Sequence, residues 1–213
     1  MTMHKAYKRS KPGKVGLGAQ SHSSTKYSSG RILVFVILHV VLALIMRRFE
    51  IISTLHALGV FLFAVYTAVT TKEIKDIIPM LAYIAGAEVL WRMTDARIFW
   101  EFGKYATIAL VLIALLRMRN IKGIAAPILY FLLLTPSILL TLEFLGITEH
   151  ARQLISFNLS GPLALAVLLI FFNQLEIDFE DLQKWVWALV YPTIGILTLA
   201  VYSTITASEI TFI

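Results

Sequence analysis

The chain has 213 residues, of which 58% are hydrophobic and 15% are charged, and its formal net charge is +6. A soluble domain has about 45–50% apolar and about 25% charged residues, so this composition indicates a helical membrane protein. The apolar stretches are continuous rather than alternating, which argues against a β-barrel. The chain has no cysteine, which excludes disulfides, thiolate metal sites and cysteine nucleophiles.

The first 31 residues are polar, rich in Lys, Ser and Gly, and free of apolar periodicity. Such a segment cannot bury enough apolar surface to fold, so we predict a disordered basic cytoplasmic tail over residues 1–31. Seven of the 19 Lys and Arg residues lie in it. Because a basic segment before a first span is the usual cytoplasmic anchor, the positive net charge does not indicate a nucleic-acid partner.

Seven apolar segments follow the tail and predict an all-α, polytopic membrane domain over residues 32–213, with about seven transmembrane helices and the lipid bilayer as its partner. A straight span needs about 20 residues, so several segments must extend into their polar flanks. The fourth segment is the shortest, and we expect its helix either to begin in a charged stretch near Glu101 or to be partly shielded by protein. The predicted spans lie near residues 32–46, 51–70, 77–91, 105–116, 124–142, 157–172 and 185–206.

The distribution of Lys and Arg predicts the orientation of these spans, because cytoplasmic loops carry an excess of both residues. With the N-terminus inside, the inner segments hold 13 of the 19 positive residues and the outer segments hold six. We therefore predict a cytoplasmic N-terminus and, after seven spans, a C-terminus outside. Heptahelical receptors have the opposite orientation, so this pattern argues against one.

The connection between the third and fourth spans concentrates charge in an otherwise apolar chain. The stretch AEVLWRMTDARIFWEFGKYA (87–106) holds three acids and three bases, namely Glu88, Arg92, Asp95, Arg97, Glu101 and Lys104. A helix here would neutralise itself, because Glu88 and Arg92 would share a face at i, i+4, as would Arg97 and Glu101. Alternatively, the charges form the wall of a polar cavity, since ionisable groups at membrane depth tend to face protein or water.

The same residues form the candidate binding site. Arg92, Arg97 and Lys104 are candidates to hold a lipid diphosphate or to line a polar cavity, because guanidinium and ammonium groups bind phosphate oxygens. Glu88 and Glu101 are candidates to orient them. Glu88 is expected at the greatest depth, because the uncharged stretch LAYIAGA precedes it.

A few polar and small residues inside the apolar segments predict contacts between helices. His39 and His56 have no acid or second histidine at i±3 or i±4, so we interpret them as hydrogen-bonding contacts rather than metal ligands. Ala82 and Gly86 form a small-xxx-small pair that suits close helix docking, within the chain or between chains. The stretch FNLSGPLAL (157–165) is typical of a helix start, with Ser160 as N-cap.

Catalytic motifs are absent from the sequence. No Ser-His-Asp order, HExxH, dinucleotide fingerprint or haem-ligand pair is visible, so we expect no metal and no cofactor, and no catalytic residue is assigned. His150 lies in a predicted outer loop with Glu149 and Arg152, and we interpret it as a solvated loop residue rather than a base.

Three stretches, in matching order and spacing, resemble the N-terminal half of a bacterial O-antigen ligase/polymerase-like family. The resemblance covers about residues 30–213, and none of the stretches is a catalytic signature. They are AYIAGAEVLWRMTDARIFWEFGKYA (82–106), SFNLSGPLALA (156–166) and YPTIGILTLAVYSTITASEITF (191–212).

The resemblance implies a glycosyltransferase of the bacterial inner (plasma) membrane with about a dozen helices. Such enzymes take a glycan from undecaprenyl diphosphate at the outer face and transfer it to an acceptor hydroxyl, in lipopolysaccharide or polysaccharide biosynthesis. They need no nucleotide sugar or metal, arginines hold the diphosphate, and an outward-facing histidine or acid is the base.

The family's best-known functional residues lie in its second half, so no catalytic residue is carried over to this chain. The resemblance therefore implies a missing C-terminal half or a partner membrane protein, and we expect the chain to be inactive alone. Two other hypotheses remain open. The chain is either a non-enzymatic membrane subunit that docks on a larger complex, or a transporter-like unit, which prolines inside the spans and Glu88 would support.

Overall fold

The computed structural model describes residues 29–210, and within this range the chain is helical without strands. The predicted all-α class is therefore confirmed. The helices are α1 Ser29–Arg48, α2 Glu50–Thr70, α3 Ile78–Met93, α4 Phe102–Leu116, α5 Ala125–Leu134, α6 Pro136–Leu145, α7 Glu149–Phe172 and α8 Phe179–Ile210, and a short 3₁₀ helix, Ile74–Ile77, directly precedes α3. The tail predicted for residues 1–31 lies outside the described residues, except for its last three, which begin α1.

Five helical segments are long and apolar enough to cross a membrane. They are Gly30–Arg48, Glu50–Thr70, Ala125–Leu145, Glu149–Phe172 and Phe179–Thr206. The third of them combines α5 and α6, which meet at Thr135 in helical conformation. Pro136 has no N–H, so the ladder of backbone hydrogen bonds is interrupted there.

Large apolar side chains cover the outside of the bundle. A soluble protein rarely exposes contiguous apolar surface of this extent, so the lipid bilayer is the environment that fits it. Strongly exposed examples come from four of the long segments: Val34, Leu62, Leu133, Leu139 and Leu197.

The two shorter helices, α3 and α4, form the centre of the bundle. α3 packs along α8 and also contacts α2 and α4, while α4 packs along α7. Their inward faces carry fully buried residues such as Ile84, Leu90 and Leu110. With 16 and 15 residues, these helices are about 22–24 Å long, which is shorter than the roughly 30 Å of a hydrocarbon core.

Gly86 allows α3 to approach α8 closely. A Cβ atom at this position would lie 2.7 Å from the carbonyl oxygen of Leu189 and 2.8 Å from Cγ of Pro192. The small residue that the sequence suggested for helix docking is therefore used within this chain, against a proline-containing stretch of α8.

α7 and α8 begin before the apolar segments that predicted them. α7 starts at Glu149 because Thr148 acts as its N-cap and accepts a hydrogen bond from the backbone N–H of Ala151, 3.1 Å away. Ser160, which the sequence suggested as N-cap, lies in the middle of α7, so that prediction was wrong. α8 likewise starts at Phe179, with acidic residues in its first turn.

Basic side chains connect the helices at the end of the bundle that is opposite the α3–α4 connection. Arg117, just after α4, donates hydrogen bonds to the backbone carbonyls of Ala68 and Thr71 at the end of α2. Lys75 donates a 2.9 Å hydrogen bond to the carboxylate of Asp181 at the start of α8. This hydrogen bond raises the pKa of Lys75, so the pair remains charged at neutral pH.

Candidate functional site

The candidate site residues lie at the end of α3, in the connection that follows it and at the start of α4. α3 ends at Met93, residues 94–101 are irregular, and α4 begins at Phe102. Asp95 has a φ of 54°, a left-handed conformation that terminates the helix and that Asp adopts more readily than most residues. The continuous helix that one interpretation of the sequence assumed therefore does not form.

This connection descends along α2 into the bundle. At its start, the hydroxyl oxygens of Thr94 and of Ser53, in the first turn of α2, lie 2.6 Å apart. At its end, the ring of Phe102 packs against the ring of Phe61, with 5.7 Å between centroids. Phe61 follows Ser53 by eight positions on α2, which corresponds to about 12 Å along the helix. We call the depression formed by residues 88–104 the recess.

The outermost charges of the recess pair with the turn between α1 and α2. Arg97 Nε donates to a carboxylate oxygen of Glu50 at 3.0 Å, and Arg47 Nη1 lies 3.5 Å from the carboxylate of Asp95. The pairing of Arg97 with Glu101, expected for a continuous helix, is therefore wrong, because the chain between them is not helical. The side chain of Arg97 remains 78% exposed, so it is accessible to a ligand.

Arg92 is held on three sides within the recess. Its Nη2 donates to the carboxylate of Glu88, one turn earlier on α3 as the i, i+4 spacing predicts, and to the carbonyl of Trp100 at 3.0 Å. The guanidinium carbon also lies 4.2 Å from the centroid of the Trp100 ring, a cation–π contact. Arg92 Nε is buried and has no hydrogen-bond partner among residues 29–210. Buried donors are normally satisfied, so this N–H is suited to a further oxygen acceptor.

Glu101 forms a second cluster against α7. Its carboxylate accepts hydrogen bonds from the hydroxyls of Ser156 and Ser160 and from Lys104 Nζ, the last at 3.2 Å. Lys104 Nζ also lies 5.1 Å from the centroid of the Phe157 ring. Burial raises the pKa of Glu101, but the hydrogen bonds from the two serines and Lys104 outweigh it, so that the pKa lies below its ordinary value. Glu101 and Lys104 therefore form an ion pair at neutral pH.

Two cavities lie on either side of Phe99 and Trp100, which line both. The first has a volume of about 300 Å³ and is also lined by Glu88, Arg92, Asp95 and Arg97. The second has a volume of about 880 Å³ and is also lined by Glu101, Tyr105, His150, Arg152 and Ser156. Small-molecule sites have volumes of about 300–1,000 Å³, so both cavities have room for a ligand group.

The structure does not bring all predicted site residues to one cavity. Glu88, Arg92 and Arg97 line the first cavity and Glu101 lines the second. Lys104 lines neither cavity and lies against Glu101 and α7. The predicted set is therefore divided into an outer part on α3 and its connection, and an inner part at the start of α4.

Sequence reasoning missed several residues that complete these clusters. Ser156 and Ser160 stand one helical turn apart on α7, and this i, i+4 spacing of hydroxyls was a signal that the sequence contained. Glu50 and the carbonyl of Trp100 gave no such signal, because their contacts depend on the irregular path of residues 94–101.

The recess is close to electrically neutral. Each of its three predicted bases already contacts an acid, since Arg92 pairs with Glu88, Arg97 with Glu50 and Lys104 with Glu101. An anionic ligand would therefore have to compete with a carboxylate or use a donor that has no partner, such as the buried Arg92 Nε.

Within residues 29–210, no three His, Asp or Glu side chains converge in a way that could hold a metal ion. The chain matches no protein-family model, and no curated protein or solved structure shows significant similarity to it. The geometry of the recess and the resemblance of the three sequence stretches are therefore the grounds for a functional proposal.

Proposed function

We propose that this chain is the N-terminal membrane half of an O-antigen ligase/polymerase-like glycosyltransferase of the bacterial inner membrane. It crosses the membrane seven times with its N-terminus in the cytoplasm, and the recess opens to the outer face. A C-terminal half or a partner membrane protein completes the active site. The observation that carries the proposal is the buried, unpartnered Nε of Arg92 beside a cavity of about 300 Å³.

The recess binds the diphosphate of an undecaprenyl-diphosphate-linked glycan in this proposal. Phosphate oxygens accept hydrogen bonds from Arg92 Nε and from the exposed guanidinium of Arg97. Glu88 holds the guanidinium of Arg92 in place in the absence of lipid, and the diphosphate then competes with it. The small residue Gly103 leaves the space that Glu88 occupies, since a Cβ there would lie 2.6 Å from a Glu88 carboxylate oxygen.

The second cavity accommodates the part of the lipid-linked substrate next to the diphosphate. Its lining combines the aromatic side chains of Phe99, Trp100, Tyr105 and Phe157 with polar groups of α7. An isoprenoid chain suits the aromatic side and sugar hydroxyls suit the polar side. The ion pair of Glu101 and Lys104 fixes α4 against α7 beneath both groups.

Binding of undecaprenyl diphosphate to the full chain in lipid nanodiscs tests this proposal. Arg92→Gln should weaken binding roughly 10- to 100-fold, which corresponds to the loss of charge-assisted hydrogen bonds. Glu88→Gln should strengthen binding, because it removes the carboxylate that competes for Arg92. Arg48→Gln is the matched control, since Arg48 is exposed at the same end of the bundle and lines neither cavity. Equal affinities in all three variants would contradict the proposal.

The orientation is tested separately, and the absence of cysteine makes the test simple. Asp95→Cys and Asn120→Cys place single thiols at exposed positions at opposite ends of the bundle. A membrane-impermeant maleimide added to intact spheroplasts should label the first variant and leave the second unlabelled. The reverse pattern would show that the recess opens to the cytoplasm.

A second candidate function is a non-enzymatic membrane subunit that docks on a larger complex. The mutual pairing of acids and bases in the recess favours it, because such pairs are expected where charges only stabilise a fold. In that case both Glu88→Gln and Arg92→Gln would lower stability, neither would change the affinity for undecaprenyl diphosphate relative to Arg48→Gln, and the chain would co-purify stoichiometrically with a partner.

A further inference from the structure

A chain of four hydrogen bonds joins α1, α2 and α3 outside the charged part of the recess. His39 Nδ1 lies 2.8 Å from the carbonyl oxygen of Phe35, and His39 Nε2 lies 3.1 Å from the hydroxyl of Tyr83. On the other side of this hydroxyl, His56 Nε2 lies 3.1 Å away. Trp91 Nε1 donates to His56 Nδ1 at 2.9 Å. Two histidines that are isolated in the sequence thus share one tyrosine.

The chemistry of its two ends determines the direction of every hydrogen bond in this chain. An indole N–H only donates, so His56 Nδ1 accepts and the proton of His56 is on Nε2. A carbonyl only accepts, so the proton of His39 is on Nδ1 and its Nε2 is an acceptor. With one proton on each ring, Tyr83 accepts from His56 and donates to His39, and each histidine has one defined tautomer. All donors along the chain are then satisfied, as membrane interiors require.

Trp91 connects this chain to the recess. Its side chain is 1% exposed, and it lines the first cavity beside Arg92. Its ring packs edge-on against Phe102 with 5.8 Å between centroids, and Phe102 begins α4. The carbonyl of Trp91 also accepts a 3.0 Å hydrogen bond from the backbone N–H of Ala96, in the irregular connection. Both the side chain and the backbone of Trp91 thus support the wall of the recess.

We propose that His56, Tyr83 and His39 are positioning residues, whose ordered chain of hydrogen bonds fixes the orientation of Trp91 and thereby the shape of the recess. The proposal goes beyond the function proposed above, because it concerns the wall of the cavity whichever ligand the cavity binds. The two histidines have opposite tautomers, which a role in packing alone would not require.

Solid-state NMR of the full chain in lipid bilayers, with ¹⁵N-labelled histidine, tests the assignment directly. His56 should carry its proton on Nε2 only and His39 on Nδ1 only. The paired variants Tyr83→Phe and Tyr66→Phe remove one hydroxyl each without changing the ring, and Tyr66 is exposed outside the chain of hydrogen bonds. Tyr83→Phe should shift the Nε2 signals of both rings, because each Nε2 loses its partner while the contacts at Nδ1 remain, and Tyr66→Phe should leave these signals unchanged. A different tautomer in the unmodified chain, or a doubly protonated ring at neutral pH, would overturn the assignment.

Thiol labelling tests the consequence for the recess. Ala96→Cys places a single thiol in the lining of the first cavity, and Asn120→Cys is the control position at the other end of the bundle. Tyr83→Phe should increase the maleimide labelling rate at position 96 by roughly two- to tenfold, the factor that corresponds to one net hydrogen bond. Labelling at position 120 should not change. Unchanged labelling at position 96 together with shifted Nε2 signals would overturn the positioning role and leave only a contact between helices.

Discussion

Replacement of Gly86 by alanine should force α3 and α8 apart. A Cβ at this position would lie 2.7 Å from the carbonyl oxygen of Leu189 and 2.8 Å from Cγ of Pro192, whereas ordinary contact begins at 3.4 Å. The neighbouring atoms must therefore retreat by about 0.7 Å, the difference between the first and last distances. Both neighbours are rigid, one as backbone and one as a proline ring in a helix. Overpacking of this kind costs about 1–3 kcal/mol.

The matched control is Gly59→Ala on α2, because a Cβ at Gly59 meets nothing within 4 Å. Alanine is favoured over glycine in a helix by about 0.5–1 kcal/mol, and this gain applies to both variants. The difference between the two variants therefore isolates the steric cost, so Gly86→Ala should have a free energy of unfolding about 1–3 kcal/mol lower than Gly59→Ala.

Equilibrium unfolding in mixed micelles, with sodium dodecyl sulfate as the denaturant and tryptophan fluorescence as the signal, measures this difference. Circular dichroism of both variants before denaturation shows whether each has kept its helices. If Gly86→Ala unfolds at the same or a higher denaturant fraction than Gly59→Ala, the close contact between α3 and α8 does not exist as described.

Three further predictions concern single positions and use the same unfolding measurement. Glu101→Gln should lower the free energy of unfolding by about 1–3 kcal/mol, because Lys104 loses its carboxylate partner; a neutral result would mean that the ion pair is solvated. Gly123→Ala should lower the free energy of unfolding by more than about 1 kcal/mol, because Gly123 has a φ of 69° and a Cβ is unfavourable in the left-handed conformation. If this variant were as stable as the unmodified chain, Gly123 would not have this conformation. Ser53→Ala should cost about 0.5–1.5 kcal/mol through the loss of its buried hydrogen bond to Thr94, whereas Ser137→Ala, at an exposed position, should have a smaller effect.

The helices could be predicted from the sequence because apolar run length is a local property. Six of the seven predicted segments fall within helical structure, and the fifth begins one residue before α5 and includes the turn at Thr135. The break at Pro136 follows from a missing N–H. The starts of α7 and α8 could not be predicted from hydropathy, because they depend on capping and on polar first turns. Thr148 determines where α7 begins, and charged residues such as Glu149 and Arg152 follow it.

The sequence could predict which residues belong to the candidate site, but not how most of them pair. The charges of residues 88–104 were visible, and the pairing of Glu88 with Arg92 followed from helical spacing. The partner of Arg97 could not be predicted from helical spacing, because it is Glu50, 47 residues earlier in the chain. Spacing rules apply within one helix, and the left-handed residue Asp95 ends that helix before the second pair can form.

The partners of the two histidines also could not be predicted from spacing within one helix. A search for partners at i±3 and i±4 finds none for His39 or His56, so the sequence predicted contacts between helices without identifying the partner. Their common partner, Tyr83, is on a third helix, so only the packing of α1, α2 and α3 brings the three side chains together.

The shortness of α4 has an electrical consequence. In the seven-span arrangement proposed above, the voltage across the membrane falls mainly over the low-dielectric thickness that α4 covers with 15 residues, because the recess is open to solution. This thickness is about 22 Å rather than the roughly 30 Å of the surrounding bilayer, so the local field is about one third stronger. A charged group that moves at the floor of the recess therefore exchanges more energy with the membrane potential, per ångström travelled, than one that moves through the bilayer nearby.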